Sequence, residues 1–206
     1  MNKVLIATGL VALNVYAIAG ATEVPVTKSK PIAKSQSACT DSPVAELNTS
    51  MGIIDVELNK TKAPISVTNF IGYVNSKFYD NKIFHRVIPG FMIQGGGFDK
   101  DLKEAATKAP IKNEASNGLT NDKYTIAMAR TNDPDSATAQ FFINVNNNIP
   151  LNNSPSNPGY AVFGKVIKGQ DVVDKIALVP TRTSGIYENV PVTPVIVNSV
   201  KMLKCK

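Results

Sequence analysis

Residues 83–98 read IFHRVIPGFMIQGGGF. Two apolar runs, 83–87 and 91–94, have the composition and length of strands. Set into them are one arginine, one glutamine and the single histidine of the chain. An arginine in a stretch that should be core is either a solvated accident or a buried tool. The surrounding sequence decides between the two.

Composition narrows the field. A chain of 206 residues with 43% hydrophobic and 18% charged side chains reads as one globular domain with an extension at an end. The net charge of +6 and isoelectric point near 9.2 raise the question of nucleic acid. The lysines are scattered, however, and the aromatics sit in apolar segments, so a mildly basic solvated surface is the better reading.

The extension is N-terminal. Lys3 precedes the apolar stretch 4–19, and AIAGA at 17–21 offers small residues of the kind a signal peptidase accepts. Residues 1–21 therefore read as a signal peptide cleaved after Ala19 or Ala21, leaving no membrane attachment. Thr8, Gly9 and Asn14 interrupt the stretch, and it falls short of the roughly 20 residues a spanning helix needs. Residues 22–43 are rich in Lys, Ser, Thr and Pro without helical or strand period, and read as a flexible mature tail. Cys39 and Cys205 flank the remaining domain, 44–206. Export permits a bridge between them, and two free thiols are the alternative.

Within the domain, MGIIDVELN sets Ile54, Val56 and Leu58 against Ile53, Asp55 and Glu57, the alternation of a half-buried strand. APISVTNFIGYVNS places Val67, Phe70, Ile71 and Val74 on one helical face, with Pro64 near its start. Further strands are expected at 124–129, 140–145, 160–166 and 195–203. A short helix fits GQDVVDKIA, where Val172, Val173 and Ile176 share a face. Seven or eight strands, two helices and no alternating strand–helix rhythm point to an all-β-dominated antiparallel barrel or sandwich with helices at its open ends.

Familiar catalytic machinery finds no footing. One histidine cannot make a His-rich metal centre, and two distant cysteines without CxxC spacing do not make structural zinc, so no metal is expected. GxSxG is absent, and the neighbours of His85 include no evident nucleophile. The triple glycine 95–97 lacks both the spacing of a dinucleotide turn and the Lys-Ser/Thr of a phosphate loop.

What remains is an arginine beside apolar and amide side chains, and FHRVIPGFMIQGGGF (84–98) resembles the central motif of the cyclophilin peptidyl-prolyl cis-trans isomerases. TIAMARTNDPDSATAQFFINV (125–145), YAVFGKVIKGQDVVDKI (160–176) and APISVTNFIGYV agree with that family in order and spacing. With Arg130, Tyr160 and a signal peptide, the chain is most similar to the secreted cyclophilins of Gram-negative bacteria. The resemblance implies a closed eight-stranded antiparallel β-barrel capped by two α-helices, an active site on the barrel's outer face, no cofactor, and a periplasmic monomer. Its partners would be proline-containing unfolded or flexible polypeptides.

Carried onto this sequence, the resemblance makes Arg86 the catalytic donor and Phe91, Met92, Phe142 and Leu151 the walls of a proline pocket. Gln94 and Gln140 would hold the guanidinium and the substrate carbonyl. Ala129 and Arg130 would line the path of the substrate backbone, and Tyr160 would stand where many eukaryotic relatives have histidine. His85 is expected to be structural. One departure is Pro150, at a position where many relatives carry the tryptophan that contacts cyclosporin; the asparagine-rich segment 144–158 around it reads as a loop. The alternative to an isomerase is a binding module, a barrel that holds proline-containing peptides as a holdase or scaffold.

Overall fold

The computed structural model describes residues 42–204. The expectations for residues 1–41 and for a bridge between Cys39 and Cys205 fall outside the described residues.

Eight strands close into a barrel: β1 (Val44–Thr49), β2 (Gly52–Leu58), β3 (Lys82–Ile88), β4 (Met92–Gly95), β5 (Thr125–Met128), β6 (Phe141–Asn144), β7 (Val162–Lys168) and β10 (Val195–Met202). Around the barrel the order is β1-β10-β3-β4-β6-β5-β7-β2, and every neighbouring pair is antiparallel. Irregularities at Asn48/Thr49, Asp55/Val56, Phe84/Arg86 and Ile126/Ala127 add local twist, which a small barrel needs in order to close. The interior is filled by Leu47, Ile54, Phe84, Ile93, Ile126, Phe141 and Phe163, all fully buried.

Two helices cap this core. In α1 (Pro64–Asn75) the apolar face seats Phe70 against Tyr79, Phe141 and Phe163 at centroid distances of 5.1, 5.8 and 5.4 Å. Truncating such a fully buried ring to alanine costs about 3–5 kcal/mol. The face is rotated slightly from the expected one: Val67, Phe70 and Val74 are buried, but Ile71 is half-exposed and Tyr73 is buried in its stead. Tyr73 finds a polar partner there, its hydroxyl accepting from the Lys108 N–H at 2.9 Å. Ala63 cannot cap α1 with its side chain, so the cap comes from afar. The Glu114 carboxylate accepts from the N–H groups of Ile65 and Ser66 at 3.0 and 2.7 Å, placing an anion at the positive end of the helix. In α2 (Gln170–Ala177) Val172, Val173 and Ile176 face the core as the spacing requires, and Asp171 and Lys175 pair across one turn at 2.9 Å.

Two features depart from the sequence reading. Asp55, expected on the solvent side of β2, is buried between β1 and β7, with Lys168 Nζ 3.7 Å from one carboxylate oxygen and no partner on the other. A hairpin, β8 (Thr181–Ser184) and β9 (Tyr187–Pro191), is a separate two-stranded sheet. Its mostly polar sequence carries no clear strand alternation. β1, at the edge of the expected domain, likewise escaped the sequence reading.

The triple glycine serves close packing. Gly96 has φ +87°, and a Cβ there would stand 2.9 Å from the Phe141 ring; a Cβ on Gly97 would meet the Gln140 side chain at 2.6 Å. The chain turns out of β4 flat against two neighbours, and only glycine permits both approaches.

Candidate active site

The barrel wall made by β3, β4, β6 and β5 is apolar on both faces, which is why the opening stretch reads as a nearly continuous hydrophobic run rather than a clean alternation. Inside lie Val87, Ile93, Ile143 and Ile126. Outside, Met92, Ala127, Phe142 and Val162 form a second buried cluster, joined by the half-buried Phe91, Leu151 and Tyr160. Strand register fixes what shares that outer face. Arg86 stands opposite Gln94, Gln94 opposite Phe142, and Phe142 opposite Ala127. Directly opposed residues project to the same side of a sheet, so Arg86 rises beside the second apolar cluster and is half-buried there.

Together they enclose a pocket of about 120 Å³. Arg86, Phe91, Met92, Gln94, Ala129, Arg130, Phe142, Leu151 and Tyr160 line it. Of the site residues carried over from the resemblance, only Gln140 lies outside this lining. It faces an adjoining cleft of about 290 Å³ that shares Gln94, Ala129 and Arg130 with the pocket and adds Glu104. Met92 and Phe142 form the buried floor. The Phe142 ring meets Tyr160 edge-on at 5.7 Å, and the Arg130 guanidinium lies over the other aromatic partner, 4.3 Å from the Tyr160 ring centre. Arg130 also donates to the carbonyls of Gly159 and Thr131 at 3.0 and 2.8 Å.

The residues that carry this geometry match a known family. Residues 44–202 match the family described as cyclophilin type peptidyl-prolyl cis-trans isomerase/CLD. The chain belongs to the cyclophilins. It is 62% identical over 159 residues to a peptidyl-prolyl cis-trans isomerase of Acinetobacter baylyi, covering 77% of this chain and 85% of the relative. A peptidyl-prolyl cis-trans isomerase A of Dickeya dadantii is 56% identical over 167 residues, covering 81% and 88%. The fold is shared with the crystal structure of a Cryptosporidium parvum cyclophilin at a TM-score of 0.65 and 24% identity, over 79% of this chain and 98% of that one. The enzyme is thus a peptidyl-prolyl cis-trans isomerase, and the closed barrel with two helices is the fold its sequence implied.

In this cyclophilin the polar side chains are already partly committed. Gln94 donates to Gln140 Oε1 at 3.0 Å, and Gln140 donates to Glu104 Oε1 at 3.2 Å. Among the described residues no side chain takes a hydrogen bond or an ion pair from the Arg86 guanidinium, so its donor fork is open to the pocket. No hydrogen bond joins Gln94 to the guanidinium among the described residues: Gln94 Nε2 donates to Gln140, and its Oε1 is the atom able to accept from Arg86. The lining holds two guanidiniums and no carboxylate, so the field in the pocket favours carbonyl oxygen and lone-pair density.

His85 lies beside Arg86 in sequence but not in the pocket lining. Its ring packs at a tilt against Phe98, centroids 4.5 Å apart, and Phe98 meets Tyr187 of β9 at 5.2 Å, which ties the hairpin to the barrel. Burial, aided by the Arg86 charge, lowers the imidazole pKa to about 4, and Nδ1 has no partner. Sequence reasoning missed the buried asparagines Asn121, Asn144 and Asn148 behind the pocket. For Asn144 and Asn148 the signal lies in the asparagine-rich segment 144–158, which reads as loop; Asn121 lies outside it.

Proposed function

We propose that this cyclophilin isomerises X-Pro bonds in unfolded exported proteins in the periplasm, and that Arg86 does so by donating a hydrogen bond to the prolyl nitrogen in the twisted transition state. The observation that carries this reading is the uncommitted Arg86 fork beside an apolar pocket of single-ring size.

Amide rotation faces a barrier of about 18–20 kcal/mol because resonance shares the nitrogen lone pair with the carbonyl. At the twisted geometry that sharing is lost, the nitrogen becomes pyramidal, and its lone pair can accept a hydrogen bond. A donor fixed at that point stabilises the twisted state more than either planar one. Guanidinium suits the task, since it stays charged at any working pH and offers several donors in a rigid fork. Met92, Phe142, Phe91 and Leu151 would hold the pyrrolidine ring by apolar burial while the acyl side turns. Ala129 and Arg130 would border the substrate backbone. Removing about 8 kcal/mol from the barrier corresponds to roughly a million-fold acceleration.

The signal-like segment 1–21 supports export, and slow prolyl steps of tens to hundreds of seconds give an exported foldase its clients. The test is expression of the full chain in a Gram-negative host, followed by fractionation, N-terminal sequencing and a refolding assay limited by an X-Pro step. Mature protein beginning at Gly20 or Thr22 in the periplasmic fraction, shortening that slow phase, is the expected result. Uncleaved cytoplasmic protein would overturn the export reading, and an unchanged slow phase would overturn the foldase reading.

A further inference from the structure

The pocket walls come from two sources. Arg86, Met92, Gln94 and Phe142 sit on β3, β4 and β6, where strand ladders fix them. Phe91, Leu151 and Tyr160 do not. Phe91 lies in the turn between β3 and β4, Leu151 ends the 3₁₀ turn Ile149–Leu151, and Tyr160 precedes β7. Backbone bonds supply part of the hold, Val145 N–H donating to the Phe91 carbonyl and Tyr160 N–H to the Leu151 carbonyl, each at 3.0 Å, but neither joins the Phe91 turn to the other two loops.

Behind them lies a cluster of buried amides. Asn148 Nδ2 donates to the Phe91 carbonyl at 2.8 Å and to Asn144 Oδ1 at 2.6 Å. Asn121 Nδ2 is shared among the Leu151 carbonyl at 3.1 Å, the Tyr160 carbonyl at 3.3 Å and Asn152 Oδ1 at 3.2 Å. Asn144 is fully buried and links the two, donating to Asn121 Oδ1 at 3.2 Å and to Thr125 Oγ1 at 2.9 Å. The Asn148 N–H also donates to the Asn121 carbonyl at 2.8 Å. Each of the three loop walls thus has its backbone carbonyl bonded to one connected network, and that network is rooted on β6 through Asn144. Buried amides that lose a partner are costly, so such a network has few alternative arrangements and transmits little play.

We infer that Asn121, Asn144 and Asn148 are positioning residues that set the width of the proline pocket. Asn148 and Asn121 hold the walls, and Asn144 fixes the direction of both amides. The inference rests on the pocket being the seat of the prolyl ring. The cluster makes the site selective for a five-membered ring, because the walls cannot spread to admit a larger one without breaking buried hydrogen bonds.

The test compares kcat/KM on a peptide containing proline and on the same peptide with the six-membered pipecolic residue in its place. Asn148→Ala should lower the prolyl value at least tenfold and the pipecolyl value no more than threefold, narrowing the preference by threefold or more. Asn148→Ser, which keeps a donor, should restore part of the preference, and Asn121→Ser carries the same prediction if Asn148→Ala does not fold. Val200→Ala, a cavity in β10 remote from the pocket lining, controls for lost stability and should leave the preference unchanged. An unaltered preference in the asparagine variants, or an equal change in Val200→Ala, would overturn the inference. Failure of Phe142→Ala to affect the wild-type reaction would instead overturn the assignment of the pocket itself.

Discussion

Arg86 and Gln94 stand directly opposite each other on β3 and β4, on the same face of the barrel, yet among the described residues no hydrogen bond joins them; Gln94 Nε2 donates to Gln140 Oε1. The arrangement orients Gln94 through its neighbour. With its Nε2 held by Gln140, which is itself anchored on Glu104, Gln94 keeps a fixed direction beside the arginine.

Loss of that anchor should be felt in catalysis. Gln140→Leu removes the acceptor for Gln94 and should reduce kcat/KM by about 1 kcal/mol, roughly fivefold. Gly97→Ala should do nearly the same by a different route, because its Cβ would occupy the place of the Gln140 side chain. Glu104→Gln, at an exposed position, should change kcat/KM by less than about twofold. Peptide kinetics on the three variants check the order. Full activity in Gly97→Ala would show that Gln140 moves without consequence.

Two pH dependences separate chemistry from stability. The pocket lining holds neither carboxylate nor histidine, so the catalysed rate should be level between about pH 6 and 9. A bell centred near 7 would bring His85 into the reaction.

Stability should respond to the same histidine. Its folded pKa, about 4, lies below the unfolded value of 6.5, so the unfolded chain binds the proton first. The stabilisation is therefore fully present above about pH 6.5 and is lost as pH falls towards 4, on the order of 3 kcal/mol in all. His85→Phe should lose less stability than wild type between pH 7 and 5 in denaturant unfolding. Parallel losses in the two proteins would contradict the assignment.

Pro150 bears on inhibition. It lies exposed in the 3₁₀ turn Ile149–Leu151, its carbonyl accepting from Asn157 Nδ2 at 2.8 Å. Proline offers neither an indole N–H nor a broad ring, so cyclosporin should lose a hydrogen bond of about 0.5–1.5 kcal/mol and some apolar burial. Pro150→Trp should tighten inhibition while changing turnover of small prolyl peptides by less than about twofold. Tight inhibition of the wild type would refute this.

The site was legible through the resemblance, which carried Arg86, Gln94 and the pocket walls onto this sequence position by position. Strand alternation alone would not have placed them, because the irregularity between Phe84 and Arg86 leaves Phe84 in the core and Arg86 at the outer pocket, although residues two apart share a face in a regular strand. The residues carried over from the resemblance meet in one pocket, Gln140 alone standing in the cleft beside it. What could not be read depends on distant partners. The Glu114 cap of α1 crosses 48 residues to reach Ser66, and no local pattern announces it. Asp55 looked solvated because alternation ignores what β1 and β7 lay over it. Asparagines within 144–158 read as loop because a buried amide network and a solvated turn use the same residue type.

The central claim is that Arg86 acts on the twisted state rather than on peptide binding. The most direct measurement is kcat/KM together with peptide affinity for wild type, Arg86→Ala and Arg86→Lys on one X-Pro peptide. Arg86→Ala should lose at least about 2–3 kcal/mol of transition-state stabilisation, roughly 30- to 150-fold, with a smaller change in affinity. Arg86→Lys should recover little, since a mobile ammonium does not replace the fork. Near-wild-type turnover in Arg86→Ala, or a loss confined to affinity, would contradict the account.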